Sequence, residues 1–207
     1  MRDPADFRAE AEALRAQLVA WRRDLHRHPE LALQEHHTAG VIAEQLRALG
    51  YDVHTGIGGT GVVALLAGQQ PGPTAMARFD MDALPIQEAN EVDYASQTPG
   101  VMHACGHDAH TAIGLGVAAL MAKHRSALAG TLKLVFQPAE EALDGALHMI
   151  QAGVLESPRP DVFLSAHIWN EKPVGTIDAA PGPVMAAAQK WTCVVRGRGG
   201  HGAQPHH

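Results

Sequence analysis

Four short segments of the chain concentrate side chains that can ligate a metal or move a proton. The first, His103-Ala104-Cys105-Gly106-His107-Asp108-Ala109-His110, packs a thiol, three imidazoles and a carboxylate into one stretch. In an extended backbone residues i and i+2 point the same way, so Cys105 and His107 can reach one centre together. A helix beginning directly after them would favour the thiolate, the form that binds metal. A bare C-x-H equally describes a capped loop with a free cysteine, and it is the density of histidine around it that favours ligation. In the second segment, Phe79-Asp80-Met81-Asp82, two carboxylates stand at i and i+2, which alone would also suit a solvated loop start. The third, Gln137-Pro138-Ala139-Glu140-Glu141, carries adjacent carboxylates that need not face alike. One can coordinate while its neighbour works as a general base, although the acidic first turn of a helix is an alternative. The fourth is His167, near the end of an apolar run, readable either as a core histidine or as a ligand.

The repetition carries the argument. Each segment follows, or lies one loop beyond, a stretch that reads as a β-strand, and the carboxyl ends of strands in an open α/β sheet line a single crevice where ligands bind. A thiolate, imidazoles and carboxylates suit a borderline cation such as zinc, with manganese, cobalt or nickel also compatible. Two such ions could share a bridging water, whose pKa would fall from about 15.7 to around 7, and attack on an amide carbonyl is the chemistry that follows.

The elements that must position these residues are legible in the periodicity. Asp3-Pro4 predicts a helix start, with Leu14, Leu18, Trp21 and Leu25 at helical spacing as far as His28-Pro29. A second amphipathic helix is expected over residues 34–49, ending at Gly50. Strands are expected at 51–54, 62–67 and 74–79, a long apolar helix at 108–128, a buried strand at 131–136, a short helix at 144–152 and a buried strand at 162–168. Further strands are expected at 176–178 and 191–196. Strands alternating with helices predict an α/β sandwich around a central, mostly parallel sheet. Ala179-Ala180-Pro181-Gly182-Pro183 reads as a hinge, dividing residues 1–180 from a second domain begun at 181–207.

Composition narrows the partners. Of 207 residues, 16 are Lys or Arg and 22 Asp or Glu, a net charge of −6 that disfavours a nucleic-acid backbone. The apolar stretch at 112–122 is too short for the roughly 20 residues of a bilayer span, and the charged N-terminal helix is no signal core. With only Cys105 and Cys193, no disulfide framework is expected, and a cytoplasmic location follows as the expectation. Gly56, Gly58 and Gly61 spell G-x-G-x-x-G with Asp80 downstream, which would suit a nicotinamide-dependent oxidoreductase. That motif needs a helix opening at its last glycine, whereas a β-type run follows, so a hairpin turn is expected there.

Taken in order, Arg78-Phe79-Asp80-Met81-Asp82-Ala83-Leu84-Pro85, H-A-C-G-H-D-A-H, Q-P-A-E-E and the late G-R-G-G-H-G-A-Q-P-H resemble the metal-dependent amidohydrolases of the hippurate hydrolase and N-acyl-amino-acid amidohydrolase type, within the wider aminoacylase and glutamate carboxypeptidase family. The resemblance implies a zinc-peptidase-like catalytic domain and a smaller inserted α+β domain that mediates dimerisation. It makes Cys105, His107, Glu141 and His167 ligands of two divalent ions and Glu140 the general base. Asp82 would support the metal site, Asp80 would stand behind the ligands, and His201 of the inserted domain would stabilise the oxyanion, often across the dimer. The substrate would be a small N-acyl amino acid. A last ligand is expected from beyond the 207 residues, so a metal-binding remnant without turnover is the competing expectation.

Overall fold

Alternation along two strands decides the architecture. In the computed structural model, which describes residues 4–189, 191–204 and 206, Val62, Ala64 and Leu66 point to one side of the sheet and Val63 to the other. Likewise Leu132, Leu134 and Phe136 oppose Val135, so both faces of these central strands are apolar and both must be covered.

The chain runs α1 (Pro4–Ala13), α2 (Arg15–Arg27), α3 (His36–Ala48), β1 (Asp52–Ile57), β2 (Gly61–Ala67), β3 (Gln70–Asp80), α4 (His107–Lys123), a single turn of 3-10 helix, β4 (Ala129–Gln137), α5 (Gly145–Gln151) and β5 (Val162–Ser165). The sheet order is β1-β2-β4-β3-β5, with β4, β3 and β5 parallel and β1 and β2 joining antiparallel. Helices α3 and α4 cover the face lined by Ile42, Leu46, Leu115, Leu134 and Phe136, and Met149 of α5 packs on the other with Val63 and Val135. Gly114 lets α4 lie close to the sheet, since a Cβ there would stand 2.7 Å from the Phe136 ring.

Several expected elements differ. The first helix is two, broken at Leu14, and the long apolar helix stops at Lys123 rather than 128. The glycine motif is indeed the β1–β2 hairpin: Gly56 and Gly58 take positive φ, and no helix follows Gly61. The run at 162–168 is strand only to Ser165, and Val162, Phe163 and Leu164 are exposed because β5 is an edge paired with β3 alone.

The chain divides into two compact units, the first running to Trp169 and the second beginning at Asn170. Among its described residues the second unit has neither helix nor strand. Its apolar residues Val174, Ile177, Trp191 and Val195 are exposed, so the strands expected at 176–178 and 191–196 are absent: an isolated strand without a partner leaves its backbone groups to water. No helix among the described residues is long and apolar enough to cross a membrane.

Candidate metal centre

Three parallel strands deliver the site. Register places Phe79 beside Phe136, Asp80 beside Gln137, and Arg78 beside Ser165, so the carboxyl ends of β3, β4 and β5 finish together. Asp80 closes β3, the Glu140–Glu141 turn follows β4, and His167 follows β5 two residues past its end. The fourth contribution comes from the start of α4. There Gly106 takes φ +90°, a left-handed turn between Cys105 and the first helical residue, His107. The two side chains therefore converge through a tight turn rather than through the extended backbone expected from their spacing.

Ligand-type atoms meet around His107, which is fully buried. One atom each from Cys105, His107 and His167 lies within 4.8 Å of the others, and the same holds for His107, Glu140 and Glu141. His107 Nε2 is 3.9 Å from both Glu140 Oε2 and Glu141 Oε1, and 3.7 Å from Asp80 Oδ2. Cys105 Sγ is 3.5 Å from His167 Nε2. Both imidazoles have their Nδ1 engaged: that of His107 donates to the Asp82 carbonyl at 2.9 Å, that of His167 to the Ile168 carbonyl at 2.6 Å. Each Nε2 is left with its lone pair, the tautomer a metal ligand needs. His107 Nε2 and Glu141 Oε1 are buried with no hydrogen-bond partner, an arrangement that costs about 1–3 kcal/mol per group unless something occupies the space between them. A divalent cation fits that pair of orphaned acceptors and the N, O and S donors around it.

Asp82 does two things at once. Its Oδ1 faces His107 Nδ1 at 3.3 Å, and its Oδ2 accepts the Glu141 backbone N–H at 3.0 Å, tying the α4 start to the turn after β4. Asp80 occupies another layer: its Oδ1 accepts from His110 Nδ1 at 2.5 Å and its Oδ2 from Arg78 at 2.7 Å. Burial opposes its charge, but His110 and Arg78 outweigh that and hold it at about 2.

Burial first, then the neighbouring Glu141 and Glu140, push the Cys105 thiol up to about 12; a divalent cation beside it would act in the opposite sense. Burial and then Glu141 raise Glu140 above its ordinary value, which makes it a stronger base. For His107, burial works against the charge, yet Asp82 and Asp80 together raise it.

His201 lies in the second unit, where its Nδ1 accepts the Ala203 N–H at 3.2 Å; it is not among the residues gathered by the first unit. Three residues that sequence reasoning left without a role prove to be integral. His110 accepts the Ile168 N–H on Nε2 at 3.0 Å while donating to Asp80, so it ties α4 to the loop of His167. Its place four residues after Gly106 on the buried side of α4 was the available signal. Glu35 is fully buried, accepting from Thr60 Oγ1 and from the Ala139 N–H at 2.9 Å, and so anchors the residue preceding Glu140, which itself takes φ +52°. Asp108 pairs with His26 at 2.7 Å and Arg22 at 2.8 Å behind His107.

An α/β fold whose parallel strand ends and adjoining helix start gather thiol, imidazole and carboxylate has the layout of a zinc-peptidase-like domain. The chain belongs to peptidase family M20/M25/M40, whose model matches residues 76–205. It is 49% identical over 191 residues to YhaA of Bacillus subtilis, covering 92% of this chain and 48% of that relative. It is 45% identical over 196 residues to the N-acyl-L-amino acid amidohydrolase of Geobacillus stearothermophilus, covering 94% and 52%. The Bacillus subtilis YXEP protein, described as a dinuclear metal binding peptidase from the M20 family, superimposes with a TM-score of 0.75 at 41% identity, covering 79% of this chain and 45% of that one. The chain thus spans about half the length of the curated relatives it matches.

Proposed function

We propose that the chain supplies the greater part of the active site of an amidohydrolase that cleaves the amide bond of N-acyl amino acids, with two divalent ions, zinc or manganese. The observation that carries this reading is the pair of orphaned buried acceptors, His107 Nε2 and Glu141 Oε1, facing each other beside Cys105, His167 and Glu140. The substrate class rests on the named activity of the Geobacillus relative.

In this reading Cys105, His107, Glu141 and His167 hold the ions, which when bound polarise the scissile carbonyl and acidify the attacking water. Glu140, whose affinity for a proton is raised by burial and by Glu141, takes the proton from that water on Oε2 and passes it to the leaving amine. Asp82 keeps His107 Nε2 unprotonated toward the centre and fixes the backbone of Glu141. Asp80 acts behind the ligands through His110. His201, within a lid and dimerisation domain begun at 181–207 and joined to a catalytic domain over 1–180, stabilises the oxyanion of the transition state, in a cytoplasmic homodimer.

The test is release of free amino acid from hippurate or an N-acetyl amino acid by the protein supplied with Mn²⁺ or Zn²⁺. Glu140→Ala is expected to abolish release while keeping its metal content, and normal turnover by that variant overturns the assignment of the base. Elemental analysis that finds less than one tightly bound metal ion per chain supports the remnant reading instead.

A further inference from the structure

Outside the interior centre, a second group of metal-type ligands sits where α2 meets α3. Asp24 and His28 stand one helical turn apart at the end of α2, and His37 lies in the first turn of α3. His28 Nδ1 donates to the Asp24 backbone carbonyl at 2.9 Å and lies 3.5 Å from Asp24 Oδ1, which turns Nε2 into its ligand nitrogen, and Asp24 Oδ2 is 3.9 Å from His37 Nε2. The two imidazoles meet edge to face with centroids 5.1 Å apart, and one ligand atom from each of the three residues lies within 4.8 Å of the others.

The backbone beneath them is already fixed. Glu30 accepts the N–H groups of both His37 and Thr38 at 2.9 Å on its carboxylate, and its carbonyl accepts the Ala83 N–H at 2.8 Å, next to Asp82. The start of α3 is thus tied to Glu30, just past the end of α2, before any ion arrives, which keeps the ordering cost of binding low. The side chains are each a little under half exposed, so water can complete the coordination shell. We propose that Asp24, His28 and His37 form a surface site for a borderline divalent cation, two imidazoles and one carboxylate in composition, that staples the end of α2 to the start of α3.

Titration calorimetry with Zn²⁺ on the full chain tests this, comparing wild type with Cys105→Ala, His37→Ala, Asp24→Ala and His36→Ala. Cys105→Ala weakens the interior centre and is expected to retain the surface class of sites. His37→Ala and Asp24→Ala are expected to weaken that class by tenfold or more, and His36→Ala, an exposed neighbour in the same turn, to leave it unchanged. Zn²⁺ is also expected to raise the thermal transition of Cys105→Ala but not of Cys105→Ala combined with His37→Ala. Wild-type isotherms from His37→Ala, or an equal loss from His36→Ala, overturn the proposal.

Discussion

At the scale of single residues, the site is governed by groups that face two ways. Asp82 uses one oxygen on His107 and the other on the Glu141 backbone, so it orients a ligand from α4 and one from the turn after β4 together. Asp82→Ala is expected to lower metal affinity by roughly 10–100-fold, the usual cost of removing a group that orients a metal-bound histidine, measurable by Zn²⁺ titration with the fold intact by circular dichroism. Glu35 is the parallel case on the other side of the Glu140 turn. Its truncation to Ala orphans the buried Ala139 N–H and opens a cavity, for an expected loss of about 3 kcal/mol in urea unfolding, most of it spared in Glu35→Gln, which keeps an acceptor for that N–H. The residue type of Glu35 carries no clue to these contacts. Cys105, His107, Glu140 and Glu141 were legible because their chemistry is uncommon and clustered, whereas Glu35 reads as one more acidic residue before a helix until its oxygens are seen to meet Thr60 and Ala139.

At the scale of elements, α2 and α4 are joined by a buried ion pair rather than by apolar packing alone. Hydrogen bonding to Asp108 raises His26 above its ordinary value against the opposing effect of burial, and for Asp108 burial works upward but His26, His103 and Arg22 together lower it. The sign follows directly. A raised His contributes stability that is fully present below about pH 6.5 and is lost as pH rises through its folded-state value, while the lowered Asp contributes above the ordinary carboxylate range and loses that contribution in acid. Urea-unfolding stability of wild type should therefore fall, relative to His26→Gln, as pH increases through and above 6.5. Parallel pH dependence in the two proteins would show that the pair is not a source of stability. Helical periodicity located α2 and α4 but could not pair them, since residues 26 and 108 are 82 positions apart.

At the scale of the whole chain, the sheet ends on an exposed apolar edge. Phe163 and Leu164 are 58% and 59% exposed, and among the described residues β5 pairs on one side only. An open apolar edge strand promotes association, so the 207-residue chain is expected to self-associate with rising concentration in light scattering, and Phe163→Lys to reduce that association without lowering secondary-structure content. Equal scattering from both proteins would assign the association to another surface.

The sequence by itself picked out the ligand-type residues that the first unit gathers and most of its helices and strands, because ligand type and hydrophobic period are local properties. It also determined that the glycine motif is a turn, since the β-branched residues after Gly61 cannot open a helix there without loss. Tertiary structure alone decided that β3, β4 and β5 end side by side, that Gly106 folds Cys105 back onto His107, and that Glu35, His110 and Asp108 stand behind the centre. Those placements depend on strand order and on contacts between residues far apart in the chain, and the burial they impose is the first cause that raises the Cys105 thiol, ahead of Glu141 and Glu140.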